Sequence, residues 1–289
     1  MQDDRRAHRV LELIRALAGP GAPTPRTDTT LGSLGMDSLS FAELAAAVEE
    51  TLGASLTDSV LDGSATVGDV VEATRASQPK DSDEAPHGMG RLQGAARLVA
   101  GWPLGWWTGL RVVGADRVPG RGPVILAMNH ESALDIPIVV TACPRPIAFM
   151  AKRELFASAF TAWSLHELGA FRVDRDRFDV RATAVALAVL GRGDVLGMYP
   201  EGTRSPGELL PFLPGAAWLA LRSGAPLVPV AITGTDRVRD ARRPRRARVR
   251  VTFVEPLTVQ RVDEPQERRR RSEALTTQLR SAIQAHLGS

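Results

Sequence analysis

The sequence predicts a multidomain chain of two fold classes: an all-α four-helix bundle over residues 1–76, then an α/β domain over residues 91–289. Three observations carry this. Before residue 76, apolar side chains recur at helical spacing. Residues 77–90, SQPKDSDEAPHGMG, have almost no large apolar side chains and read as a flexible linker. Beyond the linker, short β-branched runs alternate with helical stretches, the pattern of a central mixed sheet covered by helices.

In the first domain, Val10, Leu11, Ile14, Leu17 and Ala18 form one apolar helical face, and Gly19-Pro20 stops that helix. A second helix starts at Ser38 with Asp37 as its cap, buries Phe41, Leu44, Val48 and Leu52, and ends at Gly53. A short third piece is expected around Asp58–Leu61. Thr66 and Asp69 then resemble a capping box that opens a last helix through Val67, Val70 and Val71. As a coil, the linker that follows spans roughly 20 Å.

In the second domain the expected strands are 123–129, 146–151, 170–174, 194–200, 226–232 and 248–255. Helices are expected at 153–167, 178–191, 211–223 and 265–287, the last with Leu275, Leu279, Ile283 and Leu287 on one side.

Composition narrows the setting. The single Cys143 excludes an internal disulfide framework, no metal is expected, and a reducing cytoplasm suits the chain. The N-terminus shows no secretory h-region, and no uncharged run reaches the roughly 20 residues of a membrane span. The net charge of +3 hides an asymmetry: residues 1–76 carry 12 acidic and 6 basic side chains, residues 91–289 carry 18 and 29. Electrostatic docking between the domains, or a basic face for anionic lipids, is one reading. Two unrelated solvated surfaces are the other.

Residues 34–39, LGMDSL, open the second helix. Taken alone, Asp37 and Ser38 are a helix cap. A serine at a helix N-terminus is also a good place for a phosphate, because the first N–H groups lack helical partners. The motif, the Ala-rich amphipathic helix after it and the TVGDVV segment at 66–71 together resemble an acyl carrier protein over about residues 5–76. That resemblance implies a 4′-phosphopantetheine arm on Ser38, installed by a phosphopantetheinyl transferase and holding an acyl chain as a thioester. Met36, Asp37 and Leu39 would contact the modifying enzyme or partner.

Residues 129–135, NHESALD, follow the strand at 123–129, where α/β sheets keep their sites. A His whose far nitrogen is held by a carboxylate suits general-base work on a hydroxyl. Five residues apart on one helix, His130 and Asp135 would diverge, so the chain must turn between strand and helix for them to meet. By spacing alone, a loop histidine and a helix cap explain the pair better.

YPEGTRS at 199–205 supplies a glycine-containing loop with an Arg, a good anion cradle, and GAFRVDR at 169–175 places an Arg at a strand tip. With NHESALD and LVPVAI at 227–232, in this order, these motifs resemble the glycerol-phosphate and lysophosphatidic-acid acyltransferase superfamily over about residues 95–255. The resemblance implies His130 as general base and Asp135 as its orienting carboxylate. Arg175, Glu201, Gly202, Thr203 and Arg204 would bind the acceptor's phosphate, with Lys152 a weaker candidate. Asn129 is read as structural, and Arg172 departs from the apolar residue usual there.

The implied reaction moves an acyl group from a thioester, on the chain's own carrier domain or on CoA, to a lysophospholipid-type hydroxyl. Alternatives are a specialised-metabolite or glycolipid hydroxyl as acceptor, or a non-catalytic carrier and scaffold. LVAGWPLGWWTGL at 98–110 holds three of the five Trp residues between Arg97 and Arg111, which suits peripheral contact with the inner face of the cell membrane. The run 237–250, with eight Arg, lacks aromatic interleaving, so an anionic membrane surface or the acidic carrier is the expected partner and no nucleic acid is.

Overall fold

The computed structural model describes residues 2–19, 21–76, 93–95, 103–152, 157–158, 169–173, 179–238 and 248–287. The linker at 77–90, nearly all of the helix expected at 153–167, Arg175 and positions 239–247 of the Arg-rich run lie outside them. The chain folds as two units.

The first unit groups Met1–Glu84 with Val173–Val185 and Glu264–Arg269. Its helices are α1 (Gln2–Leu17), α2 (Ser38–Leu52) and α3 (Val67–Ala76). Val10, Ile14, Leu31, Leu34, Leu44, Val48, Val67 and Val70 are fully buried between them. Each such side chain contributes about 1.5–3 kcal/mol on burial, which holds helices too short to persist alone. Asp37 accepts from Ser40 N at 2.9 Å and caps α2, while Gly53 ends it at φ 61°, a conformation that favours glycine.

The short piece expected around Asp58–Leu61 is one 3-10 turn, Asp58–Val60. The Asp62 carboxylate takes the N–H groups of Ser64 and Ala65 at 2.7 and 2.9 Å, so the backbone is diverted into a turn. Gly32 N then reaches Gly63 O at 3.0 Å. Thr66 and Asp69 form the reciprocal box: Thr66 N donates to Asp69 Oδ2 at 2.8 Å and Asp69 N to Thr66 Oγ1 at 3.1 Å. The Thr66 N–H, then its hydroxyl, hold the Asp69 carboxyl below its ordinary value.

Also within this unit, Arg268 and Glu43, 2% and 1% exposed, form a buried two-pronged ion pair. Arg269 donates to Asp37 Oδ2 and to Ser40 Oγ, each at 2.7 Å.

The second unit groups Ala85–Arg172, Ala186–Asp263 and Arg270–Ser289. Its strands are β1 (Arg111–Val113), β2 (Val124–Met128), β3 (Ile147–Lys152), β4 (Ala170–Val173, whose last residue falls in the first unit), β5 (Val195–Met198), β6 (Leu227–Thr233) and β7 (Arg250–Phe253). They form one sheet in the order β1-β7-β6-β2-β5-β3-β4. The β6–β7 pair is antiparallel, while β1–β7, β6–β2, β2–β5 and β5–β3 are parallel, so the sheet is mixed. β1 went unread in the sequence because three exposed residues between Leu110 and Gly114 carry too short a pattern.

β2 is buried along its whole length, as its uninterrupted VILAM requires. The connecting helices are α4 (Asp135–Ala142), α5 (Val180–Gly191, of which the part up to Val185 falls in the first unit) and α6 (Gly215–Ser223). The last helix, α7 (Pro265–Leu287), begins in the first unit; beyond Arg269 it buries Leu275, Leu279 and Ile283. Because β2 runs parallel to both β5 and β6, the loops after all three strands leave the sheet at the same edge. That edge is where the NHESALD and YPEGTRS motifs meet.

Candidate active site

Asn129, directly after β2, ties this edge together. Its Nδ2 donates to Ile232 O at 2.8 Å and its Oδ1 accepts from Ile232 N at 2.7 Å, so a buried amide replaces a ladder step between the ends of β2 and β6. The next residue, His130, is thereby fixed at the strand end, 7% exposed.

Residues 131–134 form a turn rather than a helix, and α4 begins only at Asp135. The turn folds Asp135 back, and its Oδ2 accepts from Glu131 N at 2.8 Å, Ser132 N at 2.9 Å and His130 Nδ1 at 2.7 Å. Asp135 is fully buried, and Thr235 Oγ1 donates to its other oxygen, Oδ1, at 2.5 Å. Four donors thus converge on one buried carboxylate. It favours the tautomer with Nδ1 protonated, which leaves the lone pair on Nε2.

The YPEGTRS loop closes over the same residue. Tyr199 stacks on the His130 ring, with centroids 4.1 Å apart and planes at 24°. Glu201, expected among the acceptor-phosphate residues, has its carboxylate turned onto the protein instead. It accepts from His130 N at 2.8 Å, Leu210 N at 3.0 Å and Ser205 Oγ. A carboxylate so occupied holds the loop and cannot donate to a phosphate. Ser205 N donates to His130 O at 2.7 Å, a second tie between loop and histidine. Gly202 takes φ +70°, which lets the loop turn at that point. Thr203 and Arg204 are exposed just beyond it.

Lys152 ends β3. Ser38 is the first residue of α2, directly after the capping Asp37. Among the described residues, no group of three or more His, Cys, Asp or Glu is placed to hold a metal ion.

Three contributors went unread in the sequence. Tyr199 stands inside a motif whose charged residues drew attention, and an aromatic before Pro gives no sign of stacking on a histidine. Thr235 is about a hundred residues from NHESALD and reaches it only through the β2–β6 pairing. Glu131, between His130 and Asp135, is half-buried. Burial first, then the nearby Asp236 and Asp135, raise its carboxyl to about 7.

Residues 109–233 match the family described as Acyltransferase, and residues 8–74 match the one described as Phosphopantetheine attachment site. A 1-acyl-sn-glycerol-3-phosphate acyltransferase of Bacillus subtilis (strain 168) is 32% identical over 127 residues, 44% of this chain and 63% of its own length. The human 1-acyl-sn-glycerol-3-phosphate acyltransferase beta is 33% identical over 143 residues, 46% and 51% respectively. The chain thus spans between half and two thirds of these relatives. The crystal structure of the Thermotoga maritima 1-acyl-sn-glycerophosphate acyltransferase PlsC is similar in fold, with a TM-score of 0.50, 22% identity and coverage of 68% of this chain and 83% of that one.

Proposed function

In a chain that carries both a phosphopantetheine attachment domain and an acyltransferase domain, we propose an O-acyl transfer from a thioester to the hydroxyl of lysophosphatidic acid or glycerol 3-phosphate. The observation that carries this reading is the buried His130–Asp135 pair at 2.7 Å, with the YPEGTRS loop tied to the same histidine.

His130 Nε2 takes the proton of the acceptor hydroxyl as its oxygen attacks the thioester carbonyl carbon. The C–O bond forms, the C–S bond breaks, and the departing sulfur receives the proton from the imidazolium. Asp135 stabilises that imidazolium and stays ionised throughout. The thioester is already activated, so no covalent intermediate on the protein is needed. Thr203 and Arg204, with the Gly202 backbone, are proposed to bind the acceptor phosphate, together with Arg175 and Lys152.

Ser38 is the proposed attachment position for 4′-phosphopantetheine, which when bound supplies a thiol for the acyl chain. The position is the first of a helix, and Arg269 brings a guanidinium to Asp37, one residue before it, and Ser40, two after. Supply of the acyl group in cis is part of the proposal, with CoA thioesters as the other donor. Among the described residues no helix is long and apolar enough to cross a membrane. Trp106 and Trp107, 57% and 42% exposed, support peripheral contact with an anionic inner membrane face.

The full chain, co-expressed with a phosphopantetheinyl transferase and charged with an acyl group, should convert lysophosphatidic acid to its diacyl product. Intact-mass analysis should find the added mass on wild type and none on Ser38→Ala. Full transfer by His130→Ala would remove the mechanism. A charged protein inert toward lysophosphatidic acid and glycerol 3-phosphate, yet active on another hydroxyl, would reassign the acceptor.

A further inference from the structure

We propose that Glu131 is a positioning residue that works as a neutral carboxylic acid, donating to Thr235 so that Thr235 in turn holds Asp135 against His130. The inference rests on the catalytic reading of His130. Its basis is the supply of protons in a buried network. Thr235 is fully buried, and its hydroxyl has a single proton with two carboxyl oxygens in reach: Asp135 Oδ1 at 2.5 Å and Glu131 Oε2 at 3.3 Å. Asp135 already accepts three N–H groups on Oδ2 and is the ionised partner of the histidine. The Thr235 proton therefore goes to Asp135 Oδ1.

The hydroxyl's lone pairs then face Glu131. If Glu131 were ionised, acceptor would face acceptor at 3.3 Å beside a second buried carboxylate. If Glu131 keeps its proton, the chain is complete: Glu131 donates to Thr235, Thr235 to Asp135, and His130 Nδ1 to Asp135. Every oxygen in it then has a role, as a buried polar network requires.

The surroundings favour that state. The groups that face Glu131 among the described residues are Asp135 at the start of α4, Asp236 in the 3-10 turn after β6, the Thr235 hydroxyl and the Gly234 N–H. Two are carboxylates that repel a third negative charge. The cation beside them, Arg237, lies 3.9 Å from Asp236 on an exposed side chain. Burial and these charges raise Glu131 to about 7. Loss of its proton above that pH leaves the Thr235 proton contested between two carboxylates, so Asp135 is held less firmly against His130.

The test titrates the His130 ring signal by NMR in the full chain from pH 5 to 9, identified by its loss in His130→Ala. Wild type should show two inflections, one from His130 and one from Glu131; Glu131→Gln, which keeps the shape and donates an amide N–H at every pH, should show one. The acyl-transfer rate of E131Q divided by that of wild type should rise several-fold between pH 6 and pH 8, since roughly nine-tenths of a group with a pKa near 7 is ionised one unit above it. Thr235→Val should abolish the second inflection or shift it upward. A single inflection in both wild type and E131Q overturns the proposal, as does a rate ratio that stays flat with pH. The NMR arm needs no acyl donor or acceptor. Two inflections against one, with no acyl transfer to any hydroxyl, would leave the hydrogen-bond chain standing and remove the catalytic reading.

Discussion

His130 Nδ1 lies 2.7 Å from Asp135 Oδ2 although the two residues, five apart, would point in different directions on one helix. The turn at 131–134 brings them together, and its own N–H groups anchor the same carboxylate oxygen. Asp135→Asn leaves the volume unchanged but can present an amide N–H toward Nδ1, which favours the wrong tautomer. The acyl-transfer kcat should fall by about 10²–10⁴ with little change in the acceptor KM. A loss confined to KM would mean that Asp135 acts on binding and not on the base.

Tyr199 stacks on the His130 ring at 4.1 Å, a contact made by its aromatic ring. Tyr199→Phe should keep most of the activity. Tyr199→Leu should lose about 0.5–1.5 kcal/mol of positioning, roughly two- to tenfold in kcat. Equal loss in both variants would point to the hydroxyl instead.

Glu201 serves three protein donors from one carboxylate, those of His130, Ser205 and Leu210. Glu201→Ala should leave buried donors without acceptors, at about 1–3 kcal/mol each, seen as a lower Tm and a lower kcat. A higher KM for the phosphate-bearing acceptor, with Tm and kcat unchanged, would return Glu201 to the phosphate-binding role.

The Thr66–Asp69 box makes a pH-dependent contribution in the carrier unit. The folded carboxyl is held below its ordinary value of 3.8, so its stabilisation is present above that pH and is lost as pH falls through the folded value. Asp69→Asn should lower the Tm of the first unit's transition at pH 6, and the difference from wild type should vanish as pH falls below the folded value. A difference that persists in acid would assign the effect to shape instead of charge.

Much of the carrier unit was legible because its signals are local. Asp37 and Gly53 bound α2, and Thr66 with Asp69 opens α3, through bonds that span three or four residues. The short piece expected around Asp58–Leu61 stays a single turn for the same kind of reason: Asp62 competes locally for the N–H groups a longer helix would use. Among the described residues, six of the seven strands were also readable, as short runs of four to seven residues rich in apolar side chains; β1, at three, was not.

The sequence by itself determined the two fold classes, the cap beside Ser38, and the residue types of the NHESALD and YPEGTRS motifs. Only the tertiary structure decided how those parts meet. Tyr199 and Glu201 come from the loop after β5 and Thr235 from beyond β6, and both strands lie parallel to β2 as its immediate neighbours. Their contacts with His130 and Asp135 cross some 70 to 100 residues of chain. Local propensity and periodicity extend over a few turns at most, whereas hydrogen bonding between strands ignores sequence distance. The same pairing set the Glu201 carboxylate on His130 N and brought Thr235 to Asp135 and Glu131.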